Sequence, residues 1–240
     1  MKDWLSYRLS DLLLFSPRTY YRMFELYHQE IWPAQLVALT LALAILVLMR
    51  RDDEWRGRVI AGLLAACWLW VAVMFHVRRY AAINWAARYF AVLFVAQAAL
   101  LVWNGVVRRR LTFRRQSEAS ALLVPGLLLI AIAIPPLVGR VTGRTWSQVE
   151  LVGLTPDATA IATLGILLVS SPRAPRTLMV VPLCWCVIGG ATSWALGSAE
   201  AWVSIVAAAG TLAAMVWPRQ TPSAVASTDV PNERRCHPEE

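Results

Sequence analysis

The chain has 240 residues, 58% of them hydrophobic and only 16% charged, with a mean hydropathy of +0.52 and a formal net charge of +8. A water-soluble domain of this length cannot hide so much apolar side chain in one core, so lipid is the expected solvent for most of it. The positive charge does not read as a nucleic-acid surface, because 22 of the 23 basic residues are Arg and they cluster beside apolar runs, as topology signals do.

In chain order, residues 1–30 are amphipathic. Trp4, Leu5, Leu9, Leu12 and Leu13 recur at helical spacing, and Ser16-Pro17 supplies a cap and first-turn proline for a second short helix through Tyr27. Both helices are expected to lie along a membrane surface. The stretch Leu12 to Phe15 is too short for a secretory signal, so these residues are expected to be retained. Seven apolar segments follow: Ile31 to Met49, Val59 to Phe75, Ala87 to Val107, Ala121 to Val138, Pro156 to Ser171, Thr177 to Leu196 and Ala201 to Trp217. Many of the 12 Trp flank them, among them Trp32, Trp55, Trp85, Trp103, Trp146 and Trp217, the placement of interfacial anchors. Residues 218–240 are rich in Pro, Ser, Thr, Asp and Glu and are expected to be disordered.

The expected fold is therefore all-α: a polytopic transmembrane helical bundle of about seven spans over 31–217, preceded by an amphipathic interfacial segment at 1–30 and followed by a disordered polar tail at 218–240. Alternate connectors divide the Lys and Arg unequally. Arg50, Arg51, Arg56, Arg58, Arg108 to Arg110, Arg114, Arg115, Arg173, Arg176 and the tail make fourteen on one side, against nine on the other. This excess places the N-terminus outside and the C-terminus in the cytoplasm of a bacterial inner membrane, although Arg78, Arg79 and Arg88 oppose the trend.

Polar groups at membrane depth are the functional candidates. On that topology Gln35, His76, Asn84, Arg88, Thr155, Asp157 and Glu200 gather on the outer side, where they suit a pocket for a small polar or charged solute or, equally, a structural hydrogen-bond network. Thr155-Pro156-Asp157 is also a good helix start, with an N-cap, a first-position proline and a first-turn acid. Gln97 and Asn104 share a helix face and suit interhelical glue. Cys184 and Cys186, two apart on a helix, point in nearly opposite directions and cannot chelate one ion. Small-residue spacings such as Gly62 with Ala66 and Gly189 with Ser193 allow close helix approach. No nucleophile elbow, phosphate-cradling glycine loop, HExxH or metal-spaced cysteine pair is present, so no enzyme activity, cofactor or metal is expected.

Several short patterns, in order, carry a resemblance: Tyr27 with Trp32-Pro33-Ala34-Gln35; His76 with Ile83-Asn84 and Ala86-Ala87; Gln97; Thr155-Pro156 with Thr159 and Gly165; Val181-Pro182, Trp185 and Ile188-Gly189-Gly190. Over roughly residues 20 to 217 the chain resembles DUF6064, a family of uncharacterised bacterial multi-pass membrane proteins. It departs from that pattern at Trp85, where a proline usually follows the asparagine, and at Asp157, where a small hydroxyl residue is more usual. The resemblance implies a helical membrane protein with no assigned activity. The expected partners are the lipid bilayer and a small solute; the rival expectation is an accessory or structural subunit that binds other membrane proteins.

Overall fold

The computed structural model describes residues 15–50, 53–113, 133–134, 137–170, 174–198 and 200–216. The expected first amphipathic helix, nearly all of the fourth apolar segment and the polar tail with Cys236 lie outside these residues.

The described residues are helical, without strands. Helix α1 (Pro17–Glu30) begins as its sequence dictates: the Ser16 hydroxyl accepts from the Thr19 amide at 3.2 Å, and Pro17 occupies the first turn, where its missing N–H costs nothing. Helix α2 (Ala34–Leu48) follows at a bend of 87°. Helix α3 (Glu54–Trp70) continues without a break into a π-helical stretch, Val71–Val77, and α4 (Ala87–Leu101) into another, Val102–Val107. After a connector that carries a single 3₁₀ turn, Trp146–Gln148, come α5 (Pro156–Val169), α6 (Thr177–Ala195) and α7 (Ala201–Val216).

Helix α5 is the central strut. Every residue from Pro156 to Leu164 is buried, as are Ile166 and Leu167, because α6, α7 and α3 pack around it. Helices α3 and α4 cross closely: a Cβ at Gly105 would overlap that of Ala61, so only glycine allows the approach. Trp68, fully buried, stacks obliquely on Phe94 with ring centroids 4.4 Å apart and donates its indole N–H to the Thr163 hydroxyl at 2.9 Å, tying α3 to both α4 and α5. Gln97 is the interhelical glue its position predicted, donating to the Leu178 carbonyl of α6 at 2.9 Å. Asn104 differs: its amide turns back to Leu100 on its own helix. Cys186 is buried and Cys184 exposed, the opposite directions expected of residues two apart.

Among the described residues, fewer than seven helices are long and apolar enough to cross a bilayer. Among the described residues three are long and apolar enough, Trp55–Ala82, Ala87–Val107 and Thr177–Ala195; the bent pair α1 and α2 makes a fourth if counted as one span. Helix α5 is apolar but has 14 residues, roughly 21 Å at 1.5 Å per residue, short of a hydrocarbon core of about 30 Å; α7 is described over 16 residues, to Val216. The apolar segment Pro156 to Ser171 matches α5 to within two residues. The outward faces are apolar throughout, with Leu36, Leu39 and Leu43 exposed on α2 and Trp32, Trp55, Trp85, Trp103 and Trp146 exposed near helix ends.

Candidate functional site

The polar interior gathers at one end of the bundle, around the N-terminus of the central helix α5. Thr155 occupies the N-cap position, but its hydroxyl turns back to the Leu151 amide and carbonyl, at 3.0 and 3.1 Å, rather than capping α5. Asp157, buried in the first turn, accepts the indole N–H of Trp185 at 2.5 Å. Its carboxylate has room because residue 189 is glycine: a Cβ there would run into both carboxylate oxygens. The other face of Trp185 meets His76, ring centroids 5.0 Å apart, on the π-helical end of α3. Phe75, Tyr80, Phe90 and Phe94 complete the surroundings of that imidazole, and neither of its nitrogens has a hydrogen-bond partner among the described residues.

One Arg closes this end. Arg144 forms a half-buried ion pair with Glu200, donates to the Tyr21 hydroxyl at 2.6 Å and to the Ser198 hydroxyl at 2.9 Å, and stacks over the Tyr21 ring at 4.1 Å. A single guanidinium thus joins α1, the 137–155 connector and the turn between α6 and α7. Glu150, in the same connector, is buried with Oε2 unpaired among the described residues. Burial pushes its carboxyl well above the usual range, as do the charges of Asp157 and Glu200, against the pull of Arg144 and the Ala158 N–H of α5. Burial also raises Glu200, to about 7, opposed by Arg144. Three buried carboxyls share one cation, so the cluster is built to hold protons as well as charge.

Outside the Arg144 pair lies an open cleft of about 980 Å³. Arg18, Arg22 and Tyr21 of α1 line one wall and Arg78, Arg79, Ala82 and Ile83 the other, with Glu25 and Gln148 at the rim. Tyr21 belongs to both places, lining the cleft and receiving Arg144. A second open cleft, about 580 Å³, lies between α1, the start of α2 and the connector, and includes Gln35.

The seven residues singled out from sequence therefore separate. Thr155, Asp157, Glu200 and, through Trp185, His76 belong to the buried end of α5. Gln35 instead donates to the His28 carbonyl across the α1–α2 bend at 2.7 Å. Asn84 caps its own turn, accepting from the Ala86 amide at 3.0 Å, and Arg88 is exposed. Arg144, Tyr21, Ser198 and Glu150 were not found, because an isolated Arg in a short connector was counted as a topology charge. Arg140, Arg144 and Glu150 share this connector, and nothing local marks Arg144 as the one that reaches Glu200. Among the described residues no group of three or more His, Cys, Asp or Glu is placed to hold a metal ion.

The model of DUF6064, described as a family of unknown function, matches residues 18–226. The chain belongs to this family. Some of the residues that carried the resemblance tie the DUF6064 interior together: Tyr27, whose hydroxyl donates to the Leu154 carbonyl at 2.8 Å, Gln97, Thr159 and Trp185, with Gly189 leaving room for Asp157. Asp157, where a small hydroxyl residue is more usual, is accommodated by the glycine across from it. Comparison with curated proteins and with solved structures gives no match.

Proposed function

We propose that this DUF6064 protein is an integral membrane protein of the bacterial inner membrane that binds, and in its full cycle translocates, a small charged solute through the arginine-lined cleft at the outer end of the bundle. The N-terminus lies outside and the C-terminus in the cytoplasm. One observation carries this reading: Tyr21 joins the open cleft to the buried Arg144, Glu200, Glu150 and Asp157 cluster, so an occupant of the cleft adjoins the charges that close the bundle. Neither neighbour alone would suffice, since an open cleft without a responsive interior is only a surface, and a satisfied ion pair without access is only a brace.

The test is a thermal-shift panel of neutral, cationic and anionic solutes on the full chain in a non-ionic detergent. A shift that disappears in Ala82→Trp, which fills the cleft without changing charge, supports the reading; no shift with any solute counts against it.

A second reading, an accessory subunit of a larger membrane assembly, draws on the fact that Gln35, Asn84, Thr155 and Asp157 each make a hydrogen bond within the chain. A partner that co-purifies at fixed stoichiometry in mild detergent would favour it.

A further inference from the structure

We propose that the cleft between α1 and the end of α3 is a phosphate-recognition site, taking the oxyanion of a phosphate ester between Arg18 and Arg78. The inference rests on the cleft being the solute site and names the chemistry of its occupant.

Four arginines line it from two separate elements. Arg18 and Arg22 sit one turn apart on α1, and Arg78 and Arg79 lie just past the π-helical end of α3. Two are already neutralised: Arg22 pairs with Glu25 at 2.6 Å, and Arg79 pairs with Glu30. Among the described residues Arg18 and Arg78 have no carboxylate partner, and the Arg78 side chain donates only to the Met74 sulfur at 3.6 Å, a weak acceptor. Two planar forks of donors facing a shared space, without acids to satisfy them, match the oxygens of a phosphate better than any cation or neutral solute. Pro17 and Arg18 also stand in the first turn of α1, where the helix dipole favours an anion.

Size and the remaining lining refine the class. A cleft of about 980 Å³ exceeds what one inorganic anion needs, and Met23, Leu26, Ala82 and Ile83 give it an apolar side. That combination suits a phosphate carried on an organic body. The same position also resolves a discrepancy in the arginine count: Arg78 and Arg79 oppose the topology trend, and a ligand-binding role explains cations retained on the side with the smaller total.

The chemistry is common to two sources, a soluble phosphate ester and a phospholipid headgroup. The experiment compares melting temperatures of the full chain in maltoside micelles in two arms. One adds inorganic phosphate against sodium chloride of equal ionic strength; the other adds phosphatidylglycerol against an uncharged diacylglycerol. A shift in the phosphate arm assigns the site to a soluble ligand, and a shift confined to the phosphatidylglycerol arm assigns it to a headgroup. In either case Arg18→Gln/Arg78→Gln should weaken apparent affinity by about a hundredfold, roughly tenfold for each charge-assisted contact. Ala82→Trp should abolish the same shift by occupancy. All three substituted residues, Arg18, Arg78 and Ala82, are exposed, so the variants keep the interior intact. No shift in either arm, or a shift that the double variant retains, overturns the inference. If a neutral or cationic solute instead gives a shift lost in Ala82→Trp, the cleft remains the solute site and only the phosphate chemistry falls; silence across every solute removes both.

Discussion

Trp185 on α6 donates its indole N–H to Oδ1 of Asp157 on α5 at 2.5 Å, and the carboxylate fits because Gly189, one turn along α6, presents no side chain. The three residues form one unit in which an acid is matched to a donor and to an empty space. Removing the acceptor leaves a buried indole N–H unpaired, so Asp157→Ala should destabilise the protein by about 1–3 kcal/mol, and Asp157→Asn, which keeps an acceptor oxygen, by less. Gly189→Ala should be costly with Asp157 present and much milder in the Asp157→Ala background. Denaturant unfolding in mild detergent measures the cycle, and equal costs in both backgrounds would mean that something other than this contact requires glycine.

Arg144 holds three elements through one guanidinium. Arg144→Gln strands Glu200 and releases Tyr21 and Ser198, so a loss of about 3 kcal/mol or more is expected at neutral pH. Arg144→Lys should recover little, because an ammonium cannot reach Glu200, Tyr21 and Ser198 in one plane while stacking on the Tyr21 ring. Pairing Arg144→Gln with Glu200→Gln should regain part of the loss by removing the stranded charge. The readout is melting temperature of the two single variants and the double variant; a double variant no better than Arg144→Gln would argue that the loss lies in Tyr21 and Ser198 alone.

The carboxyls of the same cluster set a pH dependence. Burial holds Glu200 near 7, above its ordinary 4.5, so between those values the folded protein keeps a proton that the unfolded chain has released. Stability from this group is therefore complete below about 4.5 and declines as the pH rises through about 7. Glu150 is raised in the same direction by burial, so it adds to the slope. Arg144 faces both carboxyls and Asp157 lies beside them; Arg144 lessens the effect and Asp157 enlarges it. Melting temperature should fall across this window in the native chain, and Glu150→Gln/Glu200→Gln should flatten the profile. A native profile that rises with pH would show the carboxyls to be ionised and paired instead.

How much of this was legible in the sequence depends on the range of the interaction. Helix starts set by neighbouring residues were readable: Ser16-Pro17 opens α1 and Pro156 opens α5, because capping acts within one turn. The long helix from Ala87 to Val107 was also readable, since apolar residues dominate it despite Arg88, Gln97 and Asn104. The limits of α5 follow the apolar segment Pro156 to Ser171 to within two residues; what the apolar run did not convey is that 14 residues fall short of a span. At the site, Asp157 and Glu200 stood out as acids beside apolar runs, but Arg144 did not. Its meaning comes from Tyr21, 123 positions earlier, and Glu200, 56 later, and no local pattern encodes such a meeting. Asn84 and Gln35 each make a short-range bond, Asn84 with the Ala86 amide two residues on and Gln35 with the His28 carbonyl seven residues back, so part of their polarity has a local use.

The side of the membrane that the cleft faces can be read with single cysteines. The cleft and the 137–155 connector share the end at which α3 finishes, whereas Leu111, after α4, lies against Gly57 at the start of α3, so residues 108–113 mark the opposite end. Val141 is 82% exposed in the connector, and Arg110 is exposed after α4. In a background with Cys184 and Cys236 replaced by Ser, Val141→Cys should react with an impermeant maleimide in intact spheroplasts, and Arg110→Cys only after the membrane is opened. The expectation follows from the arginine totals of fourteen and nine on the two sides. The reverse pattern would turn the cleft toward the cytoplasm and leave its geometry unchanged, so the source of its occupant would be inside the cell. Labelling of both sites in intact spheroplasts would mean that the two ends are not separated by a bilayer, and the membrane-spanning reading of α3 and α4 would fall with it.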